Sequence, residues 1–193
     1  MTSAAPAASP AAAPVTAEEL AAAFPHVLAA PKTDAPIASL CWRARFNARS
    51  FPDRLLLTRG CGVPGERWRK HPWLTLPDGS PDPRIQVSIL PTRVCDLVWR
   101  DRTGTPHPGD TIVADLDMSE ANLPTGSLLQ AGTAVLRVSD VFNDGCVKWK
   151  VRYGRAAKDW IVAEGHPPLR LRGVLCSIEQ SGVVRLSDRL RKL

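Results

Sequence analysis

A barrel or sandwich built mainly of β-strands is the fold this sequence predicts, on three observations. From His26 onward Pro and Gly punctuate the chain every eight to fifteen residues. Short runs rich in Val, Ile and Leu lie between them, and helix signals are few. With 193 residues, 44% of them hydrophobic and 23% charged, the chain corresponds to one ordinary domain plus a tail, long enough to bury a core without disulfide staples.

The elements follow in order. Residues 1–15 are almost wholly Ala, Pro, Ser and Thr, too poor in apolar bulk to offset ordering entropy, and read as a disordered leader. Thr16 and Glu19 have capping-box spacing, which predicts a short helix from Ala17 to about Phe24, ended by Pro25 and dispensable to the fold. The leader with this helix is taken as residues 1–24 and the domain as 25–193. Strands are expected at Val27–Ala30, Leu55–Thr58, Gln86–Leu90, Thr111–Asp115, Ser127–Gln130, Ala134–Val138, Val174–Glu179 and Val183–Leu186. Gln180, Ser181 and Gly182 join the last two as a hairpin, and Ala131 with Gly132 makes another between the fifth and sixth. Helices are expected at Pro91–Trp99, with Val94, Leu97 and Val98 on one face, and at Ala156–Ala163.

No stretch is long and apolar enough to span a membrane, and the first residues lack a signal-peptide pattern, so a soluble cytoplasmic protein is the expectation. The five cysteines are odd in number, spaced by 20, 34, 51 and 30 residues, which argues against a disulfide scaffold or a zinc finger. The net charge of +6 is uneven: residues 41–75 carry eight bases against two acids and residues 140–193 eleven against six, flanking an acidic middle. Such a distribution suits an anionic ligand, and equally a merely solvated basic surface. Nucleotide-loop, zincin and serine-hydrolase motifs are missing from the sequence.

The segment from Asn143 to Gly154 is the most informative. Asn143, Asp144 and Gly145 are turn chemistry, so Cys146 should emerge just after a reversal. As a strand, Cys146, Lys148, Lys150 and Arg152 would share one face; as a helix, Lys150 would lie one turn along from Cys146. Either geometry brings a cation near the sulfur, and cations favour the nucleophilic thiolate over the thiol. The plain alternative is an inert, half-buried thiol beside a solvated basic segment. Cys61, near Arg59 and Arg67 in a Gly-rich turn, is the second candidate, while Cys176 and Cys95 read as core and helix-face residues and Cys41 stays open. The loop Gly60–Trp68 could present backbone N–H groups and Arg67 to an anion, or be a tight turn whose Arg67 pairs with Glu66. Arg170 and Arg172 would point to one side of a strand. Asp110, Asp115 and Asp117 invite a metal reading, but Asp115 and Asp117, which share a face, have no His partner nearby and are expected to meet bases or cap turns, so no metal is expected.

From about His26 to the C-terminus the chain resembles the MOSC domain, the module found at the C-terminal end of molybdenum-cofactor sulfurases and in free-standing bacterial proteins. The resemblance is carried in order by APKTDAPIASL, GCGVPGERW where the family has Gly-x-x-Gly-Asp-Arg, DGSPDPRIQVSIL, the long run from GDTIVADLD to LRVSDV, GCVKWKVRYG, and the closing LRLRGVLCSIEQSGVVRLSD. Glu66 stands where Asp is usual and Ser187 where Gly is usual, and Gly154 is followed by a basic RAAKDW segment. The resemblance implies a strongly curved β-barrel with a few peripheral helices. It places Cys146 at the family's cysteine, proposed to hold sulfur as a persulfide, with Lys148 and Arg152 in the same block and Arg67 as the loop arginine.

These expectations combine into a sulfur-handling protein, a sulfurtransferase or carrier. Cys146, Lys148 and Arg152 form the catalytic set, and Arg67, Glu66, Gln86, Lys150, Arg170 and Arg172 hold an anionic ligand such as a pterin phosphate or a small carboxylate. No tightly bound cofactor is expected; the molybdenum cofactor is a ligand the resemblance implies, and pyridoxal phosphate belongs to a separate domain of the long sulfurases. The expected partners are an anionic or sulfur-containing small molecule and a sulfur-donor protein. The rival readings are cofactor-free carbon–sulfur bond cleavage or formation on a small metabolite, and a non-catalytic barrel binding anions or nucleic acid. Sparse Tyr and Phe leave little of the stacking platform that nucleic acid needs.

Overall fold

The computed structural model describes residues 12–193. The expected leader lies outside the described residues up to residue 11; beyond it, Val15 is buried at 3% exposure.

Among the described residues nine strands form: β1 (Asp34–Leu40), β2 (Arg54–Leu57), β3 (Val87–Pro91), β4 (Ile112–Ala114), β5 (Leu128–Ala131), β6 (Ala134–Val138), β7 (Val174–Gln180), β8 (Gly182–Arg185) and β9 (Arg189–Lys192). Seven of them close into a barrel in the order β1-β4-β3-β7-β6-β5-β9, with β9 pairing back onto β1, while β2 and β8 make a separate two-stranded ribbon. All pairs are antiparallel except β3 with β4. The barrel closes on period-two burial: on β6, Ala134, Leu136 and Val138 point inward between half-exposed Val135 and exposed Arg137. Register shifts between Ile37 and Ser39 on β1 and between Val135 and Leu136 on β6 supply curvature.

One wall of the barrel is covered on both faces. Ile89 and Ile112 enter the barrel core, whereas their neighbours Leu90 and Val113 enter a second apolar cluster formed with the helices. Those helices are α1 (Ala17–Leu28), α2 (Thr92–Val98), α3 (Val147–Tyr153) and α4 (Arg155–Ile161). Leu20, Val94, Trp149, Tyr153 and Ile161 are their main buried contributions. Full burial of such side chains stabilises by roughly 1.5–3 kcal/mol each.

Four expectations are corrected. The capping box at Thr16 forms, but α1 runs through Pro25 to Leu28, so the expected strand Val27–Ala30 is the end of a helix. Burial of Val27 and the Ala29 N–H to Pro25 carbonyl bond, at 3.1 Å, outweigh the hydrogen bond that proline removes. The hairpin expected at Gln180–Gly182 is a parting of strands: β7 stays in the barrel beside β6 while β8 leaves to pair with β2. Gly182 is there for close approach, since a Cβ would collide with the backbone of Thr133 and Ala134. The Arg170–Gly173 stretch is a turn after a short 3₁₀ segment, with Arg170 at φ 48°, and is no strand. Finally, β1 and β9 were not expected. Their only inward residues are Ala35, Ile37 and Leu40 on one and Leu190 on the other. The hairpin at Ala131–Gly132 does form, Ala131 pairing with Ala134 across Gly132 and Thr133.

Candidate functional site

The two basic regions of the sequence meet at a cavity of about 400 Å³. Arg43, Arg45 and Arg49 reach it from the segment after β1, Arg67 from a short 3₁₀ turn (Arg67–Arg69) after β2, Lys148 and Arg152 from α3, and Arg172 from the turn before β7. Asp110 and Asp144 are the acids of the lining, and Asp144 is largely in solvent, its side chain 67% exposed.

Cys146 opens onto this cavity. Its residue is exposed and occupies the cap position of α3, with the Trp149 N–H donating to its carbonyl at 2.8 Å. The turn before it is clamped from behind. Gly145 is buried at φ 72° against Trp149 and Ile161, and Lys158 of α4 donates to the carbonyls of Asp144 and Gly145 at 2.5 and 2.8 Å. The Asn143 side chain donates to the Arg172 carbonyl at 3.2 Å. Helix α3 thus resolves the open choice at Cys146–Gly154: Trp149 and Tyr153 turn inward while Val147 and Val151 stay 78% exposed.

The cations are fixed by different means. Arg67 and Lys148 both sit over the Phe46 ring, at 5.0 and 5.1 Å from its centroid. Arg172 stacks on Trp149 at 4.4 Å and donates from Nη1 to Asp110 Oδ1 at 2.8 Å. Burial lowers the pKa of the Arg67 guanidinium, Arg43 adds to that, and Glu66 and Cys146 oppose it. Arg49 is likewise lowered, by burial first and then by Arg152. Among the residues that line the cavity, four have a buried polar side-chain atom without a partner among the described residues: Arg49 Nε, Trp68 Nε1, Arg172 Nε and Asp110 Oδ2.

Of the expected site residues, the structure brings Cys146, Lys148, Arg152, Arg67 and Arg172 together at the cavity. Glu66 lies just behind it, 2% exposed, and is taken up by Arg43 through contacts of 2.6 and 3.2 Å. Lys150 is exposed and does not line the cavity. Gln86 donates to the Arg59 carbonyl at 2.7 Å and accepts from the Ile178 N–H at 2.9 Å, tying the Gly-rich loop to β7. Arg170 is spent on the Leu123 carbonyl at 2.6 Å. In the Gly-rich loop the N–H groups of Cys61, Gly62, Glu66 and Arg67 are bonded within the fold, which takes these four out of any backbone cradle.

Burial raises the other candidate thiols: Cys41 to about 11, Cys95 and Cys176 to about 12. Cys61 is exposed but lies away from the cavity, and its neighbouring cation is Arg69, with Nη1 3.3 Å from the sulfur. Asp115 pairs with Arg93 at 2.7 Å and Asp117 caps the Ser119 N–H, while no cluster of three potential metal ligands occurs among the described residues. Sequence reading missed Arg43, Arg45, Arg49, Phe46 and the cavity role of Asp110. The only signal was the density of bases in residues 41–75.

No family model matches the sequence, and neither does any curated protein. Solved structures do match. The YuaD protein from Bacillus subtilis aligns over 81% of this chain and 94% of its own, at 21% identity and a TM-score of 0.55. YiiM from Escherichia coli aligns over 83% of this chain and 69% of its own, at 17% identity and the same TM-score of 0.55. The chain therefore has a MOSC-like fold, a mainly β structure around a closed, curved barrel. Among the described residues no helix is long and apolar enough to cross a membrane.

Proposed function

We propose that the cavity holds an anionic small molecule against Cys146, whose sulfur accepts and passes on a sulfane sulfur atom. One observation carries this reading: of the five cysteines, Cys146 alone is both exposed and part of a cavity lined by seven Lys and Arg side chains. Cations in a partly enclosed site act on developing negative charge more strongly than they do in open water.

The step is a thiolate attack on the outer sulfur of a persulfide donor. The new S–S bond forms at Cys146, the donor's S–S bond breaks, and the donor leaves as a thiolate that takes up a proton. An acceptor nucleophile then attacks the outer sulfur of the Cys146 persulfide, and the Cys146 thiolate is released unchanged in oxidation state. Arg67 and Lys148, each over the Phe46 ring, line the same cavity as Cys146. The donor is a low-molecular-weight persulfide or a donor protein able to reach the rim of the cavity. A pterin phosphate, as in the molybdenum cofactor, fits the charge and scale of the cavity as its anionic ligand, with Arg45, Arg49 and Arg67 as the residues to hold its phosphate.

Incubation with glutathione persulfide followed by intact-mass and peptide mapping tests the reading. Wild-type protein should gain one sulfur atom at Cys146, and Cys146→Ser should gain none. Loading confined to Cys61, or no loading of the folded wild type, would overturn it.

A further inference from the structure

The deep end of the cavity is not uniformly basic, and the exception is specific. Asp110 is 2% exposed and lines the cavity together with Arg172. The two meet through a single contact, Arg172 Nη1 to Asp110 Oδ1 at 2.8 Å. An Arg–carboxylate pair commonly makes two parallel bonds. Here Asp110 Oδ2 and Arg172 Nε are both buried with no partner among the described residues. A buried carboxylate oxygen and a buried guanidinium N–H left unpaired each carry a desolvation penalty that a ligand can relieve.

We infer that Asp110 and Arg172 form a polar reading edge: Asp110 Oδ2 accepts a hydrogen bond from an N–H of the bound anion, and Arg172 Nε donates to an adjacent acceptor. This rests on the proposal that the cavity binds an anionic small molecule, and it narrows that molecule's class. The matching group is a neutral H–N–C=N or H–N–C=O edge, as in an amino-heteroaromatic ring or a cyclic amide. A free ammonium is disfavoured, because the charge of Asp110 is already matched by Arg172, and Arg43, Arg49 and Arg152 lie on the same cavity. The ligand is therefore an anion at one end, facing Arg45, Arg67 and Lys148, and a neutral N–H donor at the other. Trp149, held under the Arg172 guanidinium, offers an aromatic wall beside that edge.

Three probes of equal charge test this by ligand-detected NMR titration of the full chain at low salt: an aminopyrimidine carboxylate, the same pyrimidine carboxylate without its amino group, and benzoate. The amino compound should bind about tenfold more tightly than its deaminated partner, the worth of one buried hydrogen bond to a charged acceptor. In Asp110→Asn that ratio should fall towards one while benzoate binding is kept or strengthened, since an arginine charge is released. Arg172→Lys keeps a partner for Asp110 but lacks the Nε donor, and should lose affinity for both ring compounds relative to benzoate. A structural role for the pair alone predicts that all three probes weaken together. If Asp110→Asn does not fold, the wild-type ratio decides. Equal binding of all three probes to wild type overturns the reading edge and leaves the anion site standing; no binding of any probe overturns both. Sulfur loading of Cys146 by a persulfide is a separate readout, so the two proposals can fail independently.

Discussion

Arg43 Nε lies 2.6 Å from Glu66 Oε1, and the Glu66 side chain is 1% exposed against 20% for Arg43. This pair joins the segment after β1 to the Gly-rich loop and removes one positive charge from the back of the cavity. Breaking a buried pair from one side leaves an uncompensated charge, so Glu66→Ala should destabilise the fold by about 3 kcal/mol. Glu66→Gln, which keeps an acceptor, should cost less. Chemical denaturation of the two variants checks the order, and equal costs would show that the charge is not what matters.

A second prediction concerns acid stability. His107 is 5% exposed, set edge-on to the rings of Phe51 and Trp99, and its Nδ1 accepts from the Gly109 N–H at 3.0 Å. Burial, opposed in part by Asp110, brings the imidazole down to about 4. The unfolded chain takes up this proton below about pH 6.5 and the folded chain does not. The stability contributed by neutral His107 is thus complete above that pH and is lost as pH falls towards 4. The loss should be on the order of 2–3 kcal/mol. Denaturation midpoints of wild type and His107→Phe across this range should converge at the acid end; parallel curves would remove His107 as the cause.

Legibility followed the type of contact. Alternation of apolar residues marked β3, β6 and β7, because each buries every second side chain or more in the barrel. It failed on β9, where Leu190 alone is buried among Arg189, Arg191 and Lys192, and on β1, where Pro36 and Ser39 dilute the signal. It could not decide α3, since over seven residues Trp149 and Tyr153 fit both an alternating strand face and one helix face. For the site, Cys146, Lys148, Arg152, Arg67 and Arg172 were legible as local features. The opposite wall at Arg43, Arg45 and Arg49 was not, because irregular backbone holds it and it meets α3 only through the closed fold.

Lys158 supplies a third test, of positioning. Its ammonium binds two successive carbonyls just before Cys146. Lys158→Met should slow sulfur loading by about tenfold with little change in anion affinity, as expected when a nucleophile is misplaced while its binding groups remain. Lys158→Arg should recover part of the rate. A fall in anion affinity equal to the fall in rate would assign Lys158 to ligand binding.

Fourth, the cations sort by location. Arg67→Ala and Lys148→Ala should each weaken binding of a carboxylate or phosphate probe by about 1–2 kcal/mol and reduce its salt dependence. Lys150→Ala, one residue from the buried Trp149 but outside the cavity, should leave binding unchanged. Calorimetric titration of the three variants separates a site from a general basic surface, on which all three would behave alike.

The most direct measurement is site-resolved alkylation of the five cysteines with iodoacetate and with iodoacetamide, reagents of the same chemistry that differ in charge. Cys146 should outpace Cys41, Cys95 and Cys176 with both reagents, and its preference for the anionic one should fall in Arg67→Ala and Lys148→Ala. A Cys146 that reacts no faster than Cys176, or whose preference is untouched by losing those cations, would contradict a sulfur that works on anions from within this cavity.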